Sequence, residues 1–242
     1  MVTLTTDLGY RDPYLGIVKA SLLAKNPGIQ IIDLSCDIKD NSLVDAAFIL
    51  KNSLPHFPRG TIHLVAVKLI ADKSEFSKAN EVDNTRYLLT YYMHQYIISP
   101  DNGLFTLLDP TFNAPVYQLY FEDNTKHHFF LKDVFVNAAT HLIGAEAEEN
   151  HENTAKDIGL LTRDYYKAIP FESFVNGNTL RGKGIYVDDF GNIITNITRQ
   201  QFEAAASKRS FNITLPGTRL SKISNTYDEV KHGQPLILFN SF

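Results

Sequence analysis

The sequence predicts an α/β protein, with an N-terminal α/β/α domain over residues 1–170 built on a mainly parallel sheet and a smaller, β-barrel-like domain over residues 171–242. Three observations lead there. Up to residue 67, short β-prone runs alternate with apolar residues at helical spacing, the order that yields a parallel sheet covered by helices. After about Pro170 the chain turns to brief β runs separated by Gly, Asn and Pro. An apolar content of 44% supports a full core, and 13 Gly with 10 Pro exclude collagen-like or low-complexity sequence.

Residues 2–5 read as the opening strand, which stops at Asp7-Leu8-Gly9. Asp12-Pro13 has the form of an N-cap followed by a first-turn proline, and a helix over 14–25 runs until Asn26-Pro27-Gly28. Residues 30–34 are a buried-strand run, 41–50 carry helical spacing, and 61–67 are strongly β-prone after Arg59-Gly60. Residues 69–86 are polar and read as a surface excursion before strands near 87–91 and 96–99. Pro100-Asp101-Asn102-Gly103 has turn composition, 116–121 is a further strand, and 132–144 are helical with a charged continuation over 145–156. In the second domain, 183–187, 193–197, 210–215 and 236–239 are predicted strands, with one short helix near 199–206.

Composition narrows the function. The net charge is −4, from 23 basic and 27 acidic residues mixed along the chain, so the basic stripe of a nucleic-acid binder is missing. Cys36 is the only cysteine, which excludes an internal disulfide and a cysteine-rich zinc site and fits a reducing compartment. No apolar run approaches the ~20 residues that span a bilayer, and Met1–Asp7 lacks a leader pattern, so a cytoplasmic protein without membrane contact is expected. The Asn-x-Thr triplets at Asn196 and Asn212 are then chance matches.

Three segments could carry chemistry. In an open α/β sheet, ligands bind beyond the carboxyl ends of the strands, where a carboxylate can accept two hydrogen bonds from a ribose diol. Asp7 has that position, although Asp7 and Asp12 read equally well as caps of the following helix. Val187-Asp188-Asp189-Phe190-Gly191-Asn192 has the composition of a hairpin turn, and Pro100-Asp101-Asn102-Gly103 that of a plain turn.

Taken together, these segments resemble the S-adenosylmethionine hydroxide adenosyltransferase family, relatives of the fluorinase and chlorinase enzymes. Thr5-Thr6-Asp7-Leu8-Gly9 with Asp12, Gly16 and Lys19 resembles its opening motif, and Pro100-Asp101-Asn102-Gly103-Leu104 its middle motif. Val187-Asp188-x-Phe190-Gly191-Asn192-x-Ile194-Thr195-Asn196 resembles its C-terminal signature, and Asn225-Thr226-Tyr227 and Asn240-Ser241 also fit. The resemblance implies a homotrimer with nucleoside sites between subunits, S-adenosylmethionine as substrate or ligand, and no cofactor or metal. It also implies attack of water, hydroxide or halide on C5′ with release of methionine. Carried over, Asp7 would hold the ribose hydroxyls, Asp12, Tyr14 and Asp188 would lie at the methionine end, and Asn192 would meet the adenine.

The hydrolases of that family carry an Asp, an Arg and a His that orient or activate water. Here Lys68 stands at the Asp position, Glu75 near the Arg position and Phe130 at the His position. Lys68 with Glu75 could restore neutrality as an ion pair of exchanged sign, and His127 or His128 lies close enough in sequence to replace the missing His. Leu131 offers a halide no side-chain donor. The chain ends at Asn240-Ser241-Phe242, where relatives continue through another strand of the adenine pocket. The expected reaction is S-adenosylmethionine plus water giving adenosine and methionine, with a catalytically silent nucleoside binder as the alternative.

Overall fold

The structure is a computed structural model and describes residues 1–68, 86–120, 129–144, 151–207 and 209–240. The chain divides into two compact units, Met1–Pro170 and Phe171–Phe242.

The first unit is built on seven strands: β1 (Val2–Thr6), β2 (Ile31–Ser35), β3 (Ile62–Ala66), β4 (Tyr87–Tyr92), β5 (Gln95–Pro100), β6 (Val116–Leu119) and β7 (Gly159–Thr162). Their order is β2-β1-β3-β5-β4-β6-β7. The β2–β1, β1–β3 and β3–β5 pairs are parallel, whereas β5–β4, β4–β6 and β6–β7 are antiparallel, so only β4 and β7 run against the rest. The connections carry α1 (Tyr14–Lys25), α2 (Leu43–Ser53), α3 (Leu104–Leu108), α4 (Val136–Gly144) and α5 (His151–Ile158).

Alternation along β1 and along the run through β3 explains the layering. Val2 and Leu4 turn to one core with Leu15, Val18 and Leu22 of α1 and with α4 residues such as Val136 and Ala139. Val65 and Val67 turn to a second core with Ala46, Ala47 and Leu50 of α2 and with Leu104, Phe105 and Leu108 of α3. A strand buried on both faces is the expected product of helices packed on each side of a parallel sheet. The α/β/α class predicted from the sequence is the one observed.

Local chemistry sets the details. Helix α1 has Pro13 as its N-cap, with φ −73° and ψ −9° and no side-chain capping bond, so the expected Asp12 cap is not made. Pro13, already at helical φ and ψ, takes the capping position, which leaves Asp12 one residue outside the helix, where it is exposed. The helix predicted over 132–144 begins with a single π-type turn, Leu131–Phe135, before α4. Strands β4 and β5 form a tight hairpin through Met93 and His94, both at positive φ (50° and 63°). Gly103, at φ +92°, follows β5, and a Cβ there would lie 2.6 Å from the Ala168 Cβ and 2.9 Å from the Ala168 nitrogen.

A polar chain crosses the sheet at the other end of β3. His63 is fully buried, its Nδ1 2.7 Å from Thr3 Oγ1 and its Nε2 2.6 Å from Gln95 Oε1. Gln95 Nε2 donates to the Leu54 carbonyl at 2.8 Å, which leaves Oε1 as an acceptor. His63 therefore carries its proton on Nε2 and receives the Thr3 hydroxyl on Nδ1. Burial pushes the His63 ring down to about 4, against the opposing effect of Gln95.

The second unit contains β8 (Phe174–Asn176) with β9 (Thr179–Arg181), β10 (Gly184–Val187) with β11 (Ile193–Thr195), helix α6 (Arg199–Ala206), and β12 (Ile213–Leu215) with β13 (Thr218–Leu220). Each pair is a separate two-stranded antiparallel sheet. The strand expected at 236–239 is not one: Ile237 accepts a single backbone bond from Ser224 at 2.7 Å, and no ladder forms there among the described residues. Phe202 of α6 meets Phe211 and Phe239 at centroid distances of 4.9 and 5.6 Å, with the Arg199 guanidinium over Phe239 at 4.6 Å. Among the described residues, every buried hydrophobic side chain belongs to the first unit.

Two stability changes follow. An unfolded histidine binds a proton below about pH 6.5 and the folded one only below about 4, so unfolding takes up a proton in that window. Stability should be at its plateau above about pH 6.5 and fall by about 3 kcal/mol as pH drops toward 4; urea titrations over this range should show that slope in the wild type and a flatter one in His63→Gln. Gly103→Ala meets both a positive φ and a backbone clash, and the same titrations should show a loss of about 3 kcal/mol.

Candidate functional site

The first cluster gathers at the carboxyl ends of β1 and β3, where parallel neighbours release their chains side by side. Asp7 leaves β1 with its N–H on the Ala66 carbonyl at 3.4 Å. Lys68 leaves β3 in the left-handed region, φ +49°, and its backbone N–H donates to Asp7 Oδ2 at 3.0 Å. That backbone region costs a lysine on the order of 1 kcal/mol and persists only where the surroundings hold it. Burial pushes the Asp7 carboxyl up, and the Lys68 N–H opposes the rise by stabilising the anion. The structure thus brings Asp7 and the Lys68 backbone together.

The Pro100-Asp101-Asn102-Gly103 turn lies between β5 and α3 and does more than reverse the chain. Asn102 is 4% exposed; its Nδ2 donates to the Val67 carbonyl at 2.9 Å and the Lys68 carbonyl at 3.4 Å, and its Oδ1 accepts from the Leu104 N–H at 3.2 Å. Asp101 accepts from the Tyr166 N–H at 2.7 Å and from the Arg86 guanidinium at 2.5 Å, and Arg86 also reaches Asp164 at 3.3 Å. One four-residue turn therefore ties the exit of β3, the approach to β4 and the 164–168 segment. Sequence reading singled out these residues but not these ties, because the partners are some 15 to 65 positions away.

Phe130 sits at the start of the π-type turn. Its ring stacks on Tyr87 at 5.2 Å, 9° from parallel, and meets Phe135 edge-on at 5.5 Å. The neighbouring Phe129 meets Tyr14 at 5.6 Å. Leu8, Phe129 and Phe130 all pack against the α1/α4 core, and Leu131 is buried within it. A phenyl ring has no lone pair to accept a proton, so position 130 supplies packing and no acid–base group. Tyr14 is 48% exposed, and Asp12 is exposed in the loop ahead of α1. Glu75, His127 and His128 lie outside the described residues.

Lys19 and Asp33, which sequence reading did not connect, form an ion pair of 2.6 Å between α1 and β2. Beside them Cys36 is a buried free thiol, pushed up to about 11 mainly by burial. It is therefore a neutral core residue at pH 7.

The second cluster, in the other unit, is the turn between β10 and β11. Asp188 Oδ1 accepts from the Phe190 N–H at 3.0 Å and the Asn192 N–H at 2.8 Å, while Oδ2 accepts from Asn192 Nδ2 at 2.8 Å. These bonds, the Asn192 side chain first, hold the Asp188 carboxyl below its ordinary range. Gly191 at φ +83° closes the turn. Asp188 and Asn192 are thus joined to each other, and Val187, Phe190 and Ile193 around them are 61%, 92% and 66% exposed. Among the described residues, no group of three or more His, Cys, Asp or Glu is placed to hold a metal, and no helix is long and apolar enough to cross a membrane.

Known proteins match over nearly the whole chain. The profile of the SAM hydroxide adenosyltransferase N-terminal domain matches residues 2–151, and that of the C-terminal domain matches residues 182–242. A Thermus thermophilus protein named (R)-S-adenosyl-L-methionine hydrolase is 27% identical over 253 residues, covering 98% of this chain and 86% of that protein. A Methanocaldococcus jannaschii protein of the same name is 27% identical over 207 residues, covering 83% and 68% respectively. The crystal structure of an uncharacterized conserved protein from Thermotoga maritima shares the fold, with a TM-score of 0.79, 22% identity, and coverage of 100% of this chain and 89% of that one. Since the two domain profiles match in order, with Asp7, the Pro100–Leu104 turn and the Asp188–Asn192 turn inside them, the chain belongs to the SAM hydroxide adenosyltransferase family.

Proposed function

We propose that the protein hydrolyses S-adenosylmethionine to adenosine and methionine. The observation that carries this reading is the Asp7 carboxylate at the carboxyl end of β1, oriented by the Lys68 N–H within a family whose members use this substrate. A carboxylate offers about four lone-pair sites. With one taken by Lys68, the others accept the 2′- and 3′-hydroxyls of the ribose. Asp12 and Tyr14 serve the methionine end from the α1 side, and Asp188 and Asn192 serve the methionine and adenine ends.

The reaction makes modest demands on the protein. A water oxygen attacks C5′, the C5′–S bond breaks with its electron pair going to sulfur, and methionine leaves as a neutral thioether. The sulfonium is already a good leaving group, so alignment of water behind C5′ is the main task. With Lys68, Glu75 and Phe130 at the positions of the water-activating set, the water's proton passes to solvent. Turnover is then slower by about 10²–10⁴ than with a positioned general base.

A silent binder is the second reading, favoured by one observation: Phe130 is held in a stack on Tyr87. We further propose a homotrimer in the cytoplasm, in which Asp188 and Asn192 of one copy act on the ligand seated at Asp7 of another. Its support is the second unit, which has no buried hydrophobic side chain among its described residues and exposes Val187, Phe190 and Ile193.

Incubation with S-adenosylmethionine, followed by chromatography, should show adenosine and methionine in equal amounts, and calorimetry should show that Asp7→Ala weakens binding at least tenfold. Binding heat without products would establish the silent binder; neither would defeat both readings. Light scattering should give three times the chain mass, and Phe190→Asp should lower that mass while leaving the circular dichroism unchanged.

A further inference from the structure

The Val67–Lys68 peptide stands between two side chains. A trans peptide directs its C=O and its N–H to opposite sides of one plane. Here the Val67 carbonyl accepts from Asn102 Nδ2 at 2.9 Å, and the N–H of the same peptide donates to Asp7 Oδ2 at 3.0 Å. Asn102 takes a second hold on the Lys68 carbonyl at 3.4 Å. The two carbonyls that bracket Lys68 are thus gripped by one amide, at the residue whose φ of +49° needs holding. A turn-closing asparagine would require only the Oδ1 bond to Leu104; the two donations serve the exit of β3.

We infer that Asn102 is a positioning residue for the nucleoside: it orients the Val67–Lys68 peptide, whose N–H fixes the Asp7 carboxylate in the rotamer that meets the ribose diol. Hydrogen bonds in series polarise one another, so donation into the Val67 carbonyl also strengthens the N–H as a donor to Asp7. Asn102 is buried and acts through the peptide, without touching the ligand. The Pro100–Gly103 turn thereby has a task in the site that its composition does not announce. The inference rests on Asp7 as the diol acceptor.

The test is a double-mutant cycle on S-adenosylmethionine affinity with a second, ligand-free readout. Asn102→Ala should weaken binding about tenfold in the wild type and less than about twofold in the Asp7→Ala background. Hydrogen exchange on the unliganded protein should show the Lys68 amide losing protection in Asn102→Ala while the β3 amides keep theirs. Equal losses of affinity in both backgrounds, or an unchanged Lys68 amide, would overturn the inference. Should Asn102→Ala fail to fold, Asn102→Asp, which keeps the size and the acceptor for Leu104 but lacks the donor, goes through the same cycle with the same criteria. If the wild type does not bind S-adenosylmethionine, the reading of Asp7 falls, and the exchange experiment alone decides whether Asn102 holds Lys68.

Discussion

The parallel pairing of β1 with β3, unbroken from Val2 opposite Ile62 to Thr6 opposite Ala66, is the constraint from which the rest of the first unit follows. Because both strands are buried on both faces, their ends are the first places where polar groups can gather. The carboxyl ends release Asp7 and Lys68 within hydrogen-bond reach of each other. Partner strands β2 and β5 then fix which loops can reach that point: β2 delivers Cys36, whose carbonyl accepts from Gly9, and β5 delivers Asn102.

Asp7 is desolvated enough for its carboxyl to be pushed up, yet it is held by a backbone donor that favours the anion. A backbone N–H is a fixed dipole and does not depend on the side chain of the residue that carries it. The contact to Asp7 is therefore independent of which side chain position 68 carries, as long as the backbone keeps its place. The φ of +49° at Lys68 is of the kind that Asn, Asp or Gly adopts more readily than Lys, so the contact is kept at some cost in backbone strain. Position 130 shows the opposite behaviour. There the side chain itself makes the contacts: Phe130 joins Tyr87 and Phe135 in an aromatic cluster on the α1/α4 core.

The helices and central strands were legible because each has a strong local signal. Apolar spacing placed α1 and α2, and short β-prone runs placed β1 and β3. The weaker elements were not. Strand β7 is a four-residue edge strand with Leu160 and Leu161 both exposed, so it shows no alternation to read, and the β8–β9 hairpin has three-residue arms. Residues 236–239 carried a strand's composition but found no ladder partner among the described residues. In the candidate site, the residue types at Asp7, Asp12, Asp188 and Asn192 were readable, as was turn chemistry at 100–103. What those groups touch was not, since the Asp7–Lys68 and Asn102–Val67 bonds join residues 61 and 35 positions apart.

The sequence by itself determined the α/β class, the switch to short β elements after Pro170, and the family to which the motifs belong, because these rest on local periodicity and on residues quoted in order. Only the tertiary structure decided that Asp12 does not cap α1, that His63 is a neutral bridge between Thr3 and Gln95, and that Phe130 is packing. It also decided that Asn102 grips the peptide facing Asp7. Each of these depends on which groups two distant segments present to one another, and that is fixed by strand order and register and not by neighbours along the chain.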